Sequence, residues 1–199
     1  KFDKELESVL KNFYLELRTD LGVNLEIIES PPRHVGLGSG TQIILSAGTA
    51  ILSLAGLRKS VEEVALATNR GRYSWIGVEA FKNGGFIISL GRSKNNFPQP
   101  IIRLDFPEDW FIVVSIPSGG RGLSGHREED ALSKIRYSEV TVKSIHSCLL
   151  NKILPGIIEH DLELFGRGVE LVQRIVGCEF KNIQGEVFHT ASMELAELM

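Results

Sequence analysis

The feature that most constrains this chain is a glycine-rich turn, Gly36-Leu37-Gly38-Ser39-Gly40-Thr41, set between an extended apolar run, residues 23–28, and an apolar helical run, residues 43–57. Glycines at alternate positions let the backbone turn sharply and approach a ligand closely. The first amides of the following helix have no intrahelical acceptor, and the helix dipole places partial positive charge there. A turn of this kind feeding a helix N-terminus is a cradle for phosphate or diphosphate. Ser39, Thr41 and Gln42 add polar groups suited to phosphate oxygens or a bound cation. A Walker-type loop is excluded because no Gly-Lys-Ser/Thr is present. A dinucleotide fingerprint fails as well: Thr41 stands where it needs its third glycine, and Leu57-Arg58-Lys59 where it needs an acidic residue. A turn without any ligand is the plain alternative.

Around this turn the pattern reads as a succession of short elements. Residues 3–20 carry Leu6, Val9, Leu10, Phe13, Tyr14 and Leu17 at helical spacing, ending near Gly22. Residues 23–28 alternate as a strand that Pro31 and Pro32 stop. Ser60, with Glu63 three residues later, starts a short helix ending near residues 69–71. Residues 78–82 are helical, Asn83-Gly84-Gly85 is a turn, and residues 86–90, 101–105 and 110–116 read as strands. A polar loop spans 91–100, and a glycine-rich segment 117–125 precedes helical patterns near 126–136, 138–151 and 161–176. Gly177 closes the last of these; Asn182 to Glu186 is turn-like, and a final helix starts near Thr190. The order is α+β rather than alternating βαβ, with a boundary near Pro107 separating 1–107 from 108–199.

Composition narrows the partners. A net charge of −3 gives no electrostatic case for nucleic acid. No apolar run approaches the ~20 residues of a membrane span, and nothing resembles a signal peptide. Cys148 and Cys178 lack metal-ligand spacing and read as buried thiols in a reducing, cytoplasmic compartment. Trp110 and Phe111 read as core, Glu62 and Glu63 as carboxylates favoured at a helix start, and His126, Glu128 and Glu129 as a solvated helix end, with contact to substrate or a cation as the alternative.

The segments 34–42, 70–78, 81–87 and 106–110, with a weaker echo at 180–185, resemble the GHMP small-molecule kinase superfamily. Within it they are most similar to the beta-ribofuranosylaminobenzene 5'-phosphate synthase family. Gly36-Leu37-Gly38-Ser39 carries the superfamily likeness. The combination with Ile76-Gly77-Val78 and Gly84-Gly85-Phe86 carries the synthase likeness. Trp75, Ser89 and Glu186 stand where that family usually has glycine, aspartate and glycine. The resemblance implies a ribosomal-protein-like N-terminal domain and a ferredoxin-like C-terminal domain. The family's first strand motif and last glycine-rich motif are missing, so the chain reads as a truncated fragment.

The activity implied is a decarboxylating transfer in methanopterin biosynthesis. Phosphoribosyl pyrophosphate and 4-aminobenzoate or 4-hydroxybenzoate would give a C-riboside, carbon dioxide and pyrophosphate. Gly36, Leu37, Gly38, Ser39, Gly40 and Thr41 are assigned to the diphosphate, with Mg2+ implied by the resemblance and its ligands unassigned. His34 is a candidate donor to an oxyanion. Arg70 and Arg72 are candidates for the 5'-phosphate or the carboxylate, and Ser74 completes the catalytic set. Arg33, Arg103 and Arg121 stand in reserve as anion ligands. An ATP-dependent kinase is the first alternative, but Gly77 occupies the place of the aspartate that acts at the acceptor hydroxyl, and glycine can neither accept a proton nor orient a hydroxyl. An inactive ligand-binding relative is the second. The resemblance leaves a homodimer open.

Overall fold

A computed structural model describes residues 4–19, 21–71, 74–90, 101–116, 135 and 137–184. The chain divides into two compact units, Lys1–Asp105 and Phe106–Met199. Helices with one two-stranded antiparallel sheet make the described chain α+β. No helix among the described residues is long and apolar enough to cross a membrane.

In the first unit, α1 (Lys4–Glu16) buries Leu6, Leu10 and Phe13, one apolar residue per turn along a single face. It packs on α2 (Ser39–Leu54), whose Ile44, Leu45, Ile51 and Leu52 are buried. Each such side chain removed from water is worth about 1.5–3 kcal/mol, so this face outweighs any local helix preference. The short α3 (Val61–Ala67) opens with the expected reciprocal cap. Ser60 Oγ accepts from the Glu63 amide at 3.2 Å, and Glu63 Oε2 accepts from the Ser60 amide at 2.7 Å. Val64 and Ala65 join Phe13, Leu45, Leu52, Trp75 and Val78 in one core cluster. The next helix, α4 (Ile76–Asn83), runs into a hairpin of β1 (Phe86–Ser89) and β2 (Ile101–Leu104), paired Phe86 with Leu104 through Ser89 with Ile101. Gly85 has φ +86°, and a Cβ there would stand 2.5 Å from the Leu104 carbonyl oxygen, so the end of β2 can lie against the residue before β1 only because that residue is glycine. Arg103 donates from Nε to the Gly84 carbonyl and from Nη2 to the Asn83 carbonyl, each at 3.0 Å, placing a cation on the last carbonyls of α4.

In the second unit, Ser138 Oγ accepts from the Thr141 amide at 3.0 Å and starts α5 (Glu139–Cys148). A π-turn, Leu149–Ile153, leads into α6 (Leu154–Ile158), which contains Pro155. Proline has no N–H for the carbonyl four residues back, and widening the preceding turn accommodates that loss. Asp161 Oδ1 accepts from the Leu164 amide at 2.9 Å near the start of α7 (Leu162–Gln184), which folds back along these helices. Phe106, Trp110 and Phe165 meet with ring centroids 5.1–6.3 Å apart.

Several expectations are corrected. Residues 23–28 form no strand: the alternation survives, with Val23 and Leu25 half-buried between exposed neighbours, but no ladder partner lies beside them among the described residues. Leu25 instead packs on Leu6, Leu10 and Ile44, while Ile28 is 93% exposed. Residues 110–116 likewise form no strand, and Phe111, expected in the core, is 92% exposed. Gly177 does not end its helix; it is buried inside α7, which also takes in Asn182 to Gln184. One helical glycine costs only about 1 kcal/mol, and the packed face of α7 overrides it. Cys178 is exposed and Cys148 half-buried, so the two are not a buried pair, and both are free thiols. The helices expected near 126–136 and from Thr190, and the residues His126, Glu128 and Glu129, lie outside the described residues.

Candidate functional site

The glycine turn leads directly into the start of α2. Gly36 and Gly38 have φ of +84° and +66°, the left-handed region that glycine enters without strain. Gly38 is the N-cap of α2, and its carbonyl accepts from the Thr41 amide at 3.0 Å and the Gln42 amide at 3.2 Å. A glycine cap has no side chain to offer, and no side-chain bond takes up the first amides of α2. Ser39 and Gly40 therefore present their N–H groups at the positive end of a sixteen-residue helix.

The first turn of α4 abuts the first turn of α2. Gln42 Nε2 donates to the Gly77 carbonyl at 2.9 Å, and a Cβ at position 77 would stand 3.3 Å from Thr41 Cγ2 and 3.8 Å from its hydroxyl. Ser74 is exposed, and its Oγ accepts from the Ile76 amide at 3.3 Å, holding the turn that starts α4. Trp75 follows, 2% exposed, its ring over Gly71. Gly71 has φ +78°, and a Cβ there would fall 2.4 Å from Trp75 Cε3, so the bulky residue that departs from the family pattern is seated by the glycine before it.

Arg70 emerges from the end of α3, its amide donating to the Ala65 carbonyl at 2.7 Å. Its guanidinium is partly withdrawn from water, and Nε is buried with no hydrogen-bond partner. Burial holds Arg70 below the usual arginine range; the Glu5 carboxylate opposes this, and the like charge of Arg33 adds to it. The guanidinium of Arg33 lies over Gly40, with Cζ and Nη2 each 3.8 Å from where a Cβ would stand.

The expected residues are thus distributed unevenly. Gly36, Leu37 and Gly38 line the exposed turn, Ser39 is buried, and Gly40 and Thr41 are half-buried at the helix start. His34 is half-buried in the same turn with φ +61°, a left-handed conformation rare outside glycine. No hydrogen bond among the described residues joins His34, Arg70 or Ser74 to one another. Arg72 and Arg121 lie outside the described residues. Arg103 is occupied at the end of α4, and among the described residues Arg33 is the reserve arginine that reaches the loop. Its sequence signal is its place seven residues before Gly40, on the Pro-Pro-Arg stretch that leads into the turn.

No three histidine, cysteine or carboxylate side chains gather as a metal site among the described residues. A magnesium ion carried on a diphosphate needs no such cage, since it keeps several waters and takes phosphate oxygens. The hydroxyls of Ser39 and Thr41 are fitting neutral donors beside the free helix end.

Residues 5–79 match the family described as GHMP kinases N terminal domain. The chain is 36% identical over 172 residues to the beta-ribofuranosylphenol 5'-phosphate synthase of Methanothermobacter thermautotrophicus, a match covering 78% of this chain and 51% of that protein. The protein of that name from Archaeoglobus fulgidus is 37% identical over 168 residues, covering 77% and 53%. The one from Methanocaldococcus jannaschii is 34% identical over 183 residues, covering 82% and 53%. The chain spans about half the length of these curated relatives.

Proposed function

Because the chain belongs to the family of the beta-ribofuranosylphenol 5'-phosphate synthases, with a GHMP-kinase N-terminal domain at its front, we propose that the full-length protein transfers a ribosyl 5-phosphate group from phosphoribosyl pyrophosphate to a para-substituted benzoate. In this reading the C1–oxygen bond to pyrophosphate breaks and pyrophosphate leaves with the electron pair. The ring carbon bearing the carboxylate forms a bond to C1, and the electrons of the carbon–carboxylate bond return to the ring as carbon dioxide departs. Atoms and charge balance without an oxidant or a further reactant. The relatives' name specifies a phenol, which favours 4-hydroxybenzoate over 4-aminobenzoate as acceptor.

The observation that carries the reading is the uncapped start of α2, with Thr41 packed against Gly77. Pyrophosphate gains negative charge as it leaves, and fixed amides aimed at that charge stabilise the transition state without reorganising. Mg2+, when bound, supplies further charge neutralisation on the leaving group. His34 donates to an oxyanion beside the turn, Arg70 and Arg72 hold the second anion, and Ser74 orients the start of α4 toward the substrate. Gly77 argues against phosphoryl transfer, since no carboxylate stands at the aspartate's place to receive a hydroxyl proton. The two units correspond, in this reading, to the ribosomal-protein-like and ferredoxin-like domains of the superfamily, in a cytoplasmic enzyme.

The test is to incubate the full-length protein with phosphoribosyl pyrophosphate, magnesium and 4-hydroxybenzoate, and to follow carbon dioxide and pyrophosphate. Equal release of both is expected. ATP-dependent phosphorylation of a small alcohol, with no carbon dioxide, would refute the reading in favour of a kinase; magnesium pyrophosphate binding without turnover would refute it in favour of a ligand-binding relative. The cradle is tested separately by Gly40→Val. A helical Cβ tilts toward the helix N-terminus, and at this position it meets nothing closer than Arg33 at 3.8 Å. The added isopropyl group should therefore cover the amides while sparing the fold, and calorimetry should show magnesium pyrophosphate binding lost by about tenfold or more.

A further inference from the structure

Gln42 makes a bond that neither helix needs for its own backbone. Its Nε2 donates to the Gly77 carbonyl at 2.9 Å, across 35 positions of sequence. Gly77 is the second residue of α4, where a helical carbonyl already has the amide four residues on as its donor. Gln42 is the fourth residue of α2, and its own amide donates to the Gly38 carbonyl at 3.2 Å. The side-chain bond therefore ties the first turn of α4 to the first turn of α2. What it secures is the contact on Thr41, where a Cβ at position 77 would stand 3.3 Å from Cγ2 and 3.8 Å from the hydroxyl. Apolar contact of this kind has no direction of its own; a hydrogen bond has one.

Thr41 differs from two other threonines of the first unit. Thr49 Oγ1 donates to the Leu45 carbonyl and Thr68 Oγ1 to the Val64 carbonyl, each at 2.7 Å, the usual bond back to the carbonyl four residues earlier. No hydrogen bond among the described residues takes up the Thr41 hydroxyl. A helical threonine divides between two χ1 positions because of that back-bond, so a neighbour pressed on it can decide between them. We infer that Gln42 is a positioning residue: through Gly77 it holds the Thr41 hydroxyl off the helix backbone and available to an anion on the Ser39 and Gly40 amides, with the ribosyl-transfer reading supplying the identity of that anion as the leaving diphosphate.

The experiment is calorimetry on the full-length protein with magnesium pyrophosphate as the probe. Gln42→Met keeps the length of the side chain and loses the donor; Thr41→Val keeps the shape and loses the hydroxyl. Each is expected to weaken binding by about tenfold. Because one residue acts through the other, the double variant should bind within about twofold of Thr41→Val alone. The unfolding midpoint of Gln42→Met should stay within about 5 °C of the parent. Gln42→Glu, a second variant without a donor at neutral pH, should weaken binding at least as much. With phosphoribosyl pyrophosphate and 4-hydroxybenzoate, the loss in Gln42→Met should fall on kcat, with KM for phosphoribosyl pyrophosphate within about threefold, since the charge grows only as pyrophosphate leaves. Unchanged pyrophosphate affinity in Gln42→Met overturns the inference, as does a double variant that loses the full product of the two effects. A rise confined to KM, or a parent protein that does not bind pyrophosphate, overturns it too. If pyrophosphate binding depends on Gln42 through Thr41 while no carbon dioxide is released, the positioning role stands and the ribosyl-transfer reading fails.

Discussion

Gly77→Asp places a carboxylate at the position where a kinase would carry one, and its consequence can be worked out from the contact with α2. A Cβ at 77 stands 3.3 Å from Thr41 Cγ2 and 3.8 Å from Thr41 Oγ1. Were an anion held on the Ser39 and Gly40 amides about 5 Å from that carboxylate, two unit charges would repel by about 3 kcal/mol at an effective dielectric near 20. Screening by salt and by the accompanying cation takes roughly half of that. What remains, about 1.5 kcal/mol, weakens magnesium pyrophosphate binding about tenfold. Gly77→Asn separates charge from bulk: it imposes the same 3.3 Å contact with a neutral side chain. In the first turn of α4, aspartate also gains about 0.3–1 kcal/mol from the helix dipole, so the aspartate variant should be at least as stable as the asparagine one. The assay is calorimetric titration of both variants, with thermal unfolding alongside. Equal weakening in the two would mean that bulk alone acts. No weakening in either would mean that the anion does not sit beside Gly77, and the assignment of the cradle would fall with it.

Gly71→Ala should destabilise the first unit by about 2–5 kcal/mol, from about 1–2 for a left-handed non-glycine residue and about 1–3 for overlap with the Trp75 ring. In a Trp75→Leu background only the backbone part should remain, and a fully additive pair in denaturant titrations would refute the ring contact as the cause. Lys82 bonds Glu62 across α3 and α4, which holds the Glu62 carboxyl below the usual carboxylate range and raises the Lys82 ammonium. The Glu62 contribution is fully present above about pH 4.5 and lost as pH falls through its lowered folded pKa; that of Lys82 is present below about pH 10.5 and lost as pH rises through its raised one. Lys82→Met should flatten both flanks of the stability profile, at no more than about 1 kcal/mol for so exposed a pair, and unchanged flanks would show that the pair contributes nothing.

What the sequence made legible was local. Ser60 and Glu63 sit three apart, and their reciprocal cap is written in that spacing. The glycine turn could be read as a helix start because the residues that make it are contiguous. Partners distant in sequence were another matter. Residues 23–28 and 110–116 have strand-forming residues, yet a strand exists only with a neighbour to bond, and the described residues supply none. Phe111 was expected inside on hydrophobicity alone; burial needs a facing surface as well as an apolar side chain. Arg33 and Arg103 look alike in the chain. One is drawn to Gly40 and the other to carbonyls nineteen and twenty residues back, and nothing in either neighbourhood distinguishes them. Arg70 is a candidate anion ligand by its residue type, but only the turn after α3 shows that it is brought partly out of water. Gly177 resembles a stop signal, and only the packing of α7 shows that it is not one.

The seating of Trp75 on Gly71 has a spectroscopic consequence. The chain holds two tryptophans, and each unit receives one. Trp75 is sealed from solvent in the first unit, while Trp110 stands half-buried against Phe106 and Phe165 in the second. Indole emission shifts with local polarity, so the two fluorophores start from different wavelengths and each reports on its own unit. Trp110→Phe leaves one indole, positioned two residues before the Gly77 that touches Thr41. In that variant the proposed binding of an anion at α2 is expected to register as an intensity change in unlabelled protein, and loosening of the first unit as a red shift.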